Sequence, residues 1–111
     1  MKFLIFNGSL KADAESNTFK VCKMTQLAFE KMGHECEVIT MRDLDYEGST
    51  SDVNDELKPH IMKMFKADGV IFATPIWWGN HSCHIQAMLE RLDVIYSWAK
   101  DNKHQPFYNK V

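Results

Sequence analysis

A doubly wound α/β fold built on a parallel sheet is the architecture that this 111-residue sequence predicts. Three observations carry the prediction. Short, continuous apolar runs suit strands that are covered on both faces. Segments with helical apolar spacing alternate with them in the order β-α-β-α-β-α. The length fits a single small domain, residues 1–111, and no linker, repeat or low-complexity tract divides it.

The elements follow in order. Phe3-Leu4-Ile5-Phe6, closed by Asn7-Gly8, is too short and too uniformly apolar for a helix and reads as the first strand. From Asn17 to Met32 the spacing is helical, with Val21, Met24, Leu27, Ala28 and Met32 as its apolar stripe. Ser16 or Asn17 caps its start, and Gly33 stops it. Cys36 to Met41, with Val38 and Ile39, is the second strand, and the polar stretch from Arg42 to Thr50 is a loop. Leu57, Ile61, Met64 and Phe65 mark a second helix, whose regular part begins near Pro59 because proline is tolerated only in the first turn. Gly69-Val70-Ile71-Phe72-Ala73 is the third strand, ended by Thr74-Pro75. Ile85, Met88, Leu89, Leu92, Ile95, Tyr96 and Ala99 give a long third helix, and Phe107 to Val111 can open a short fourth strand.

Composition excludes several classes of function. Hydrophobic residues make up 45% and charged residues 25%, which is the balance of a folded globular chain. Lys and Arg number 13 against 15 Asp and Glu, so the basic surplus of a nucleic-acid binder is missing. No apolar run approaches the roughly 18 residues of a membrane span. The apolar start is too short for a secretory leader, and the expected location is the cytoplasm. Cys22, Cys36 and Cys83 are odd in number and widely spaced, so they outline no disulfide framework.

Ligands of open α/β sheets bind beyond the carboxyl ends of the strands, and two loops lie there. The first, Gly8 to Thr18, offers the hydroxyls of Ser9, Ser16 and Thr18, the amide of Asn17 and the charge of Lys11, ahead of a helix N-terminus. Together these describe a phosphate cradle, although Ser16-Asn17-Thr18 could equally be a simple helix cap. Asp13 and Glu15 would repel a phosphate unless they turn to solvent. The loop is neither G-x-x-x-x-G-K-[ST] nor G-x-G-x-x-G. The second loop runs Thr74-Pro75-Ile76-Trp77-Trp78-Gly79-Asn80. Two adjacent tryptophans there either fill a core or wall an apolar site.

The two loops together, Asn7-Gly8-Ser9 with Ser16-Asn17-Thr18 and Ala67 through Gly79, resemble the NADPH-dependent FMN reductase family. These are flavodoxin-like proteins that include NAD(P)H-quinone and azo-dye reductases. Gln86-Ala87-Met88-Leu89-Glu90-Arg91-Leu92 is similar to the family's helix after the second loop. The resemblance implies strand order 2-1-3. It implies FMN as cofactor, with Ser9, Lys11, Ser16, Asn17 and Thr18 at its phosphate and Pro75, Ile76, Trp77, Trp78 and Gly79 along its ribityl chain and ring. Lys11 stands where many members have arginine, Trp77 where tyrosine is frequent, and the stretch from Ser9 to Ser16 is slightly long. The family's third flavin-contacting loop follows a fourth strand, and the sequence ends as that strand would begin.

The expected function is that of an FMN-binding oxidoreductase that passes hydride from NAD(P)H to a quinone, azo compound or other flat small-molecule acceptor. The chemistry belongs to the flavin, and no catalytic side chain is assigned. The alternatives are a flavodoxin-type electron carrier, disfavoured by near-neutral charge, and a truncated, non-enzymatic fragment. His81-Ser82-Cys83-His84 fans around a helix start and lacks a second cluster, so no metal site is assigned. An apolar third strand without a full neighbour implies a homo-oligomer and weaker FMN binding than in a complete member.

Overall fold

The computed structural model describes residues 1–48 and 53–102, the last helix from residue 94 by its backbone alone. Strand β1 spans Lys2–Asn7, helix α1 Asn17–Lys31, strand β2 Glu35–Thr40, helix α2 Lys58–Lys63, strand β3 Gly69–Ala73 and helix α3 Cys83–Asn102. The strands form one parallel sheet in the order β2-β1-β3. The register aligns Phe6 with Ile39 and Phe72, and Ile5 with Val38 and Ile71. The expected fourth strand, Phe107 to Val111, lies outside the described residues.

Because side chains alternate across a strand, β1 supplies two cores. Leu4 and Phe6 face α2 and α3 and pack with Ile39, Met41, Leu57, Ile61, Met64, Ala67 and Met88. Phe3 and Ile5 face α1, where the Phe3 ring stacks on Phe29 with centroids 4.1 Å apart. The Leu57, Ile61, Met64 periodicity of the second helix is therefore the buried face that it predicted. Pro59 sits in the first turn of α2, where its missing N–H costs nothing.

Helix α1 corrects the sequence reading. Val21, Met24, Leu27, Ala28 and Met32 are exposed, and the face toward the sheet is Phe19, Cys22, Gln26 and Phe29. Gln26 fixes the rotation by donating to the Cys36 carbonyl of β2 at 2.9 Å. A residue adjacent to Cys22 is turned by about 100° on an α-helix, which carries Val21 to the flank. Three-residue and four-residue steps run through both sets, so α1 carries two apolar faces and the sheet takes one.

The long connection after β2 is anchored from α3. Arg91, 2% exposed, donates to both carboxylate oxygens of Asp55, at 2.7 and 3.2 Å, and to the carbonyls of Glu47 and Val53. The backbone amides of Glu47, Leu57 and Lys58 also donate to Asp55. Burial alone would raise the Asp55 carboxyl, but the Arg91 and backbone donors outweigh it and hold the group at about 2. A carboxyl held below its unfolded value near 3.9 stabilises the fold above that value, and the contribution fades as pH falls toward 2. Urea melts should therefore lose about 2 kcal/mol between pH 5 and pH 2 in the native protein. The Asp55→Asn variant should lack that part of the acid sensitivity, and an identical acid profile in the two proteins would contradict the assignment.

Candidate functional site

The strands point their carboxyl ends at three connections, and two of these build a cleft of about 230 Å³. Ser9, Leu10, Lys11, Glu15, Ser16, Asn17 and Thr18 line one side, and Pro75, Ile76 and Trp77 line the other.

The first wall begins at Asn7, which is wholly buried at the end of β1. Its carboxamide accepts from the Ser9 amide at 3.1 Å and donates to Thr40 Oγ1 at 3.4 Å, so the loop leaves the sheet at a fixed angle. Gly8 follows because nothing larger fits. A Cβ there would lie 2.4 Å from Ile85 Cγ1 and 2.8 Å from Ser82 Oγ, at the start of α3. Gly8→Ala should cost roughly 1–3 kcal/mol in chemical denaturation through overpacking. A stability equal to that of the native protein would show that α3 can retreat.

Ser9 and Ser16 are both buried and joined by a 2.6 Å hydrogen bond. Ser16 caps α1 by accepting from the Phe19 amide at 3.0 Å, a contact worth about 1 kcal/mol. Its own proton goes to Ser9 Oγ, which also accepts from the Lys11 amide at 3.2 Å. In that arrangement the Ser9 proton is left to donate outward. The Asn17 and Thr18 amides belong to the first turn of α1, whose N–H groups have no intrahelical acceptor. The extra residues of the loop, Asp13–Glu15, wind into a single 3-10 turn. Both acidic side chains are exposed, with Glu15 on the rim of the cleft. The sequence reading missed Asn7, which braces this wall, and Leu10, which lines it.

The second wall is held by Thr74, whose hydroxyl accepts from the Ser82 amide at 2.8 Å and donates to the Pro75 carbonyl at 2.9 Å. Trp77 and Asn80 exchange two backbone hydrogen bonds of 2.8 and 2.9 Å, closing a two-residue turn over Trp78 and Gly79. Both central residues are left-handed, with φ of +52° at Trp78 and +79° at Gly79. That is the geometry of a type I′ turn, in which glycine and asparagine sit without strain and tryptophan does not. The turn separates the two indoles. Trp77, 43% exposed, lines the cleft, whereas Trp78, 98% exposed, stands at the tip and Gly79 beside it, outside the lining. Trp78→Asn should raise the melting temperature by about 4 °C through relief of this strain. An unchanged or lower value would mean that the indole contributes packing that offsets the strain.

The histidines and the cysteine after this loop disperse. His81 bonds to Gln86 and His84 Nδ1 to the Tyr46 hydroxyl, while Cys83 is exposed. Burial and the nearby Arg42 push His84 below its usual range, and burial with Cys83 pushes Tyr46 up. Among the described residues no three His, Cys, Asp or Glu side chains gather around a metal-sized space. No helix among them is long and apolar enough to cross a membrane.

This geometry has relatives. The chain is 29% identical over 124 aligned positions to the 8-demethyl-8-aminoriboflavin-5′-phosphate synthase of Streptomyces davaonensis, covering 100% of this chain and 48% of that protein. It is 28% identical over 101 positions to an iron-sulfur flavoprotein of Archaeoglobus fulgidus, covering 82% of this chain and 48% of that one. The crystal structure of RosB with bound 8-demethyl-8-formylriboflavin-5′-phosphate superposes with a TM-score of 0.81 at 27% identity, over 100% of this chain and 49% of RosB. The chain thus spans about half the length of these relatives. The model of the NADPH-dependent FMN reductase family matches residues 1–111. With its flavodoxin-like β2-β1-β3 sheet, the chain belongs to the NADPH-dependent FMN reductase family.

Proposed function

We propose that the cleft holds FMN and that the chain serves an NAD(P)H-dependent oxidoreductase that reduces a quinone, azo compound or other flat acceptor. One observation carries this reading. A wall of hydroxyls, Lys11 and a helix N-terminus faces, across a single cleft, a wall of Pro75, Ile76 and Trp77. A donor-rich end beside an apolar, aromatic end is the profile demanded by a molecule with a phosphate at one end and a flat ring at the other. The riboflavin 5′-phosphate chemistry named for the synthase and for the RosB structure supports the same ligand class.

In this reading Ser9, Lys11, Ser16, Asn17 and Thr18 serve the phosphate. Ser9 donates its remaining proton, Asn17 and Thr18 donate first-turn amides, and Lys11 supplies charge. Ser16 acts mainly by holding Ser9 and capping α1. Pro75, Ile76 and Trp77 exclude water from the ring, while Trp78 and Gly79 shape the turn that presents Trp77. When bound, FMN supplies hydride chemistry between NAD(P)H and the acceptor. No side chain of the chain is assigned a proton-transfer role.

We also propose that the chain self-associates. Val21, Met24, Leu27 and Met32 expose an apolar flank on α1, and β3 has β1 as its one strand neighbour among the described residues. The activity is tested by adding FMN to the purified chain and following NADH and NADPH oxidation with a quinone acceptor. Turnover above that of free FMN is expected. A rate equal to free FMN would contradict an enzymatic role for this chain, and sedimentation of the same sample as a monomer would contradict self-association.

A further inference from the structure

The stretch between Leu10 and Glu15 is tied to itself by short-range bonds, from the Glu15 amide to the Ala12 carbonyl and from the Ser16 amide to the Asp13 carbonyl. On its amide side Lys11 is held by donating to the buried Ser9 Oγ at 3.2 Å, next to the end of β1. On its carbonyl side it is held from the β2 end by Arg42, whose guanidinium donates to the Lys11 carbonyl at 3.2 Å. Arg42 sits in the 3-10 turn Met41–Asp43 directly after β2, with Met41 wholly buried in the core beside it. Its backbone is therefore fixed by the sheet, and its long side chain reaches across to the loop. Lys11 lines the cleft, so a bond to its carbonyl constrains where its ammonium can go. The loop also carries Asp13 and Glu15, whose charges oppose an anion. Arg42 brings a second positive charge to the same loop.

Resting on the flavin reading of the cleft, we infer that Arg42 is a positioning residue for anion binding, acting through Lys11 to fix the cationic side of the phosphate cradle. The contribution belongs to the phosphate end of a ligand and not to its ring. It therefore appears as discrimination between FMN and riboflavin, which share the ring and differ in the phosphate.

The experiment titrates the native chain, Arg42→Met, Arg42→Lys, Lys11→Met and the double variant Lys11→Met/Arg42→Met with FMN and with riboflavin. Arg42 is exposed, so Arg42→Met is expected to melt close to the native chain. Arg42→Met should lower the ratio of FMN to riboflavin affinity about fivefold, the scale of one typical hydrogen bond. Arg42→Lys should restore most of that ratio, because it keeps both a charge and a donor. The double variant should fall no further than Lys11→Met, because Arg42 acts through that residue. An unchanged ratio in Arg42→Met would overturn the inference, as would an equal loss for both flavins or losses that multiply in the double variant. If the native chain binds neither flavin, the flavin reading fails by itself, and inorganic phosphate decides the inference. A phosphate-induced rise in melting temperature that Arg42→Met abolishes would sustain it. An equal rise in both proteins, or no rise in either, would overturn it.

Discussion

Asp55→Ala is expected to lower stability by about 3–5 kcal/mol, the largest single effect among the substitutions considered. The removed carboxylate leaves Arg91, 2% exposed, as a buried cation whose remaining acceptors among the described residues are the Glu47 and Val53 carbonyls. It also removes the acceptor that Asp55 offers to the Glu47, Leu57 and Lys58 amides. Arg91→Met should cost a similar amount. The double variant should be no worse than either single one, since the penalty is the stranded partner and not the lost pair. Thermal melts would read this as a fall of more than about 12 °C for each single variant. A fall of a degree or two would mean that the connection after β2 is held by its own backbone and that Arg91 is incidental.

The second large effect falls on the ligand. Trp77→Ala should weaken FMN binding about tenfold, within the 1–3 kcal/mol that a ring stacked on an aromatic side chain supplies. Trp77 is 43% exposed and outside the main core, so stability should fall by less than 1 kcal/mol. Trp78→Ala should weaken FMN binding far less, because its indole stands at the tip of the turn, outside the cleft lining. Flavin fluorescence titrations and thermal melts on the same preparations separate these expectations. A Trp77→Ala protein that loses stability and keeps its FMN affinity would mean that the indole serves packing alone.

Much of this structure was legible in the sequence, for identifiable reasons. Phe3 to Phe6 and Gly69 to Ala73 are apolar at every position, a pattern that only a strand covered on both faces needs, and both are strands at the predicted places. The cap at Ser16 and the stop at Gly33, with φ of +84°, are local chemistry that short motifs encode. The two cleft walls were legible for the same reason, since strand ends and glycine-containing turns fix where loops emerge.

What was not legible depended on distance. The stripe through Val21, Met24 and Met32 and the face through Phe19, Cys22 and Phe29 are equally helical in spacing, and a contact from Gln26 to β2 chooses between them. The burial of Arg91 depends on Asp55, 36 positions earlier, and has no signal in its own helix. The division of labour between Trp77 and Trp78 rests on two left-handed residues, of which Gly79 was recognisable as turn-forming and Trp78 was not. Arg42 gives no local signal at all, because its partner is a backbone carbonyl 31 positions away.

In the proposed complex one end of the cleft takes a phosphate and the other a flavin ring. Parallel calorimetric titrations of the native chain with FMN and with riboflavin test this arrangement most directly. FMN should bind with one site per chain and at least about tenfold more tightly than riboflavin, as expected for a phosphate held by a lysine and helix-start donors. Riboflavin binding as tight as that of FMN, or no binding of either flavin, would contradict the account.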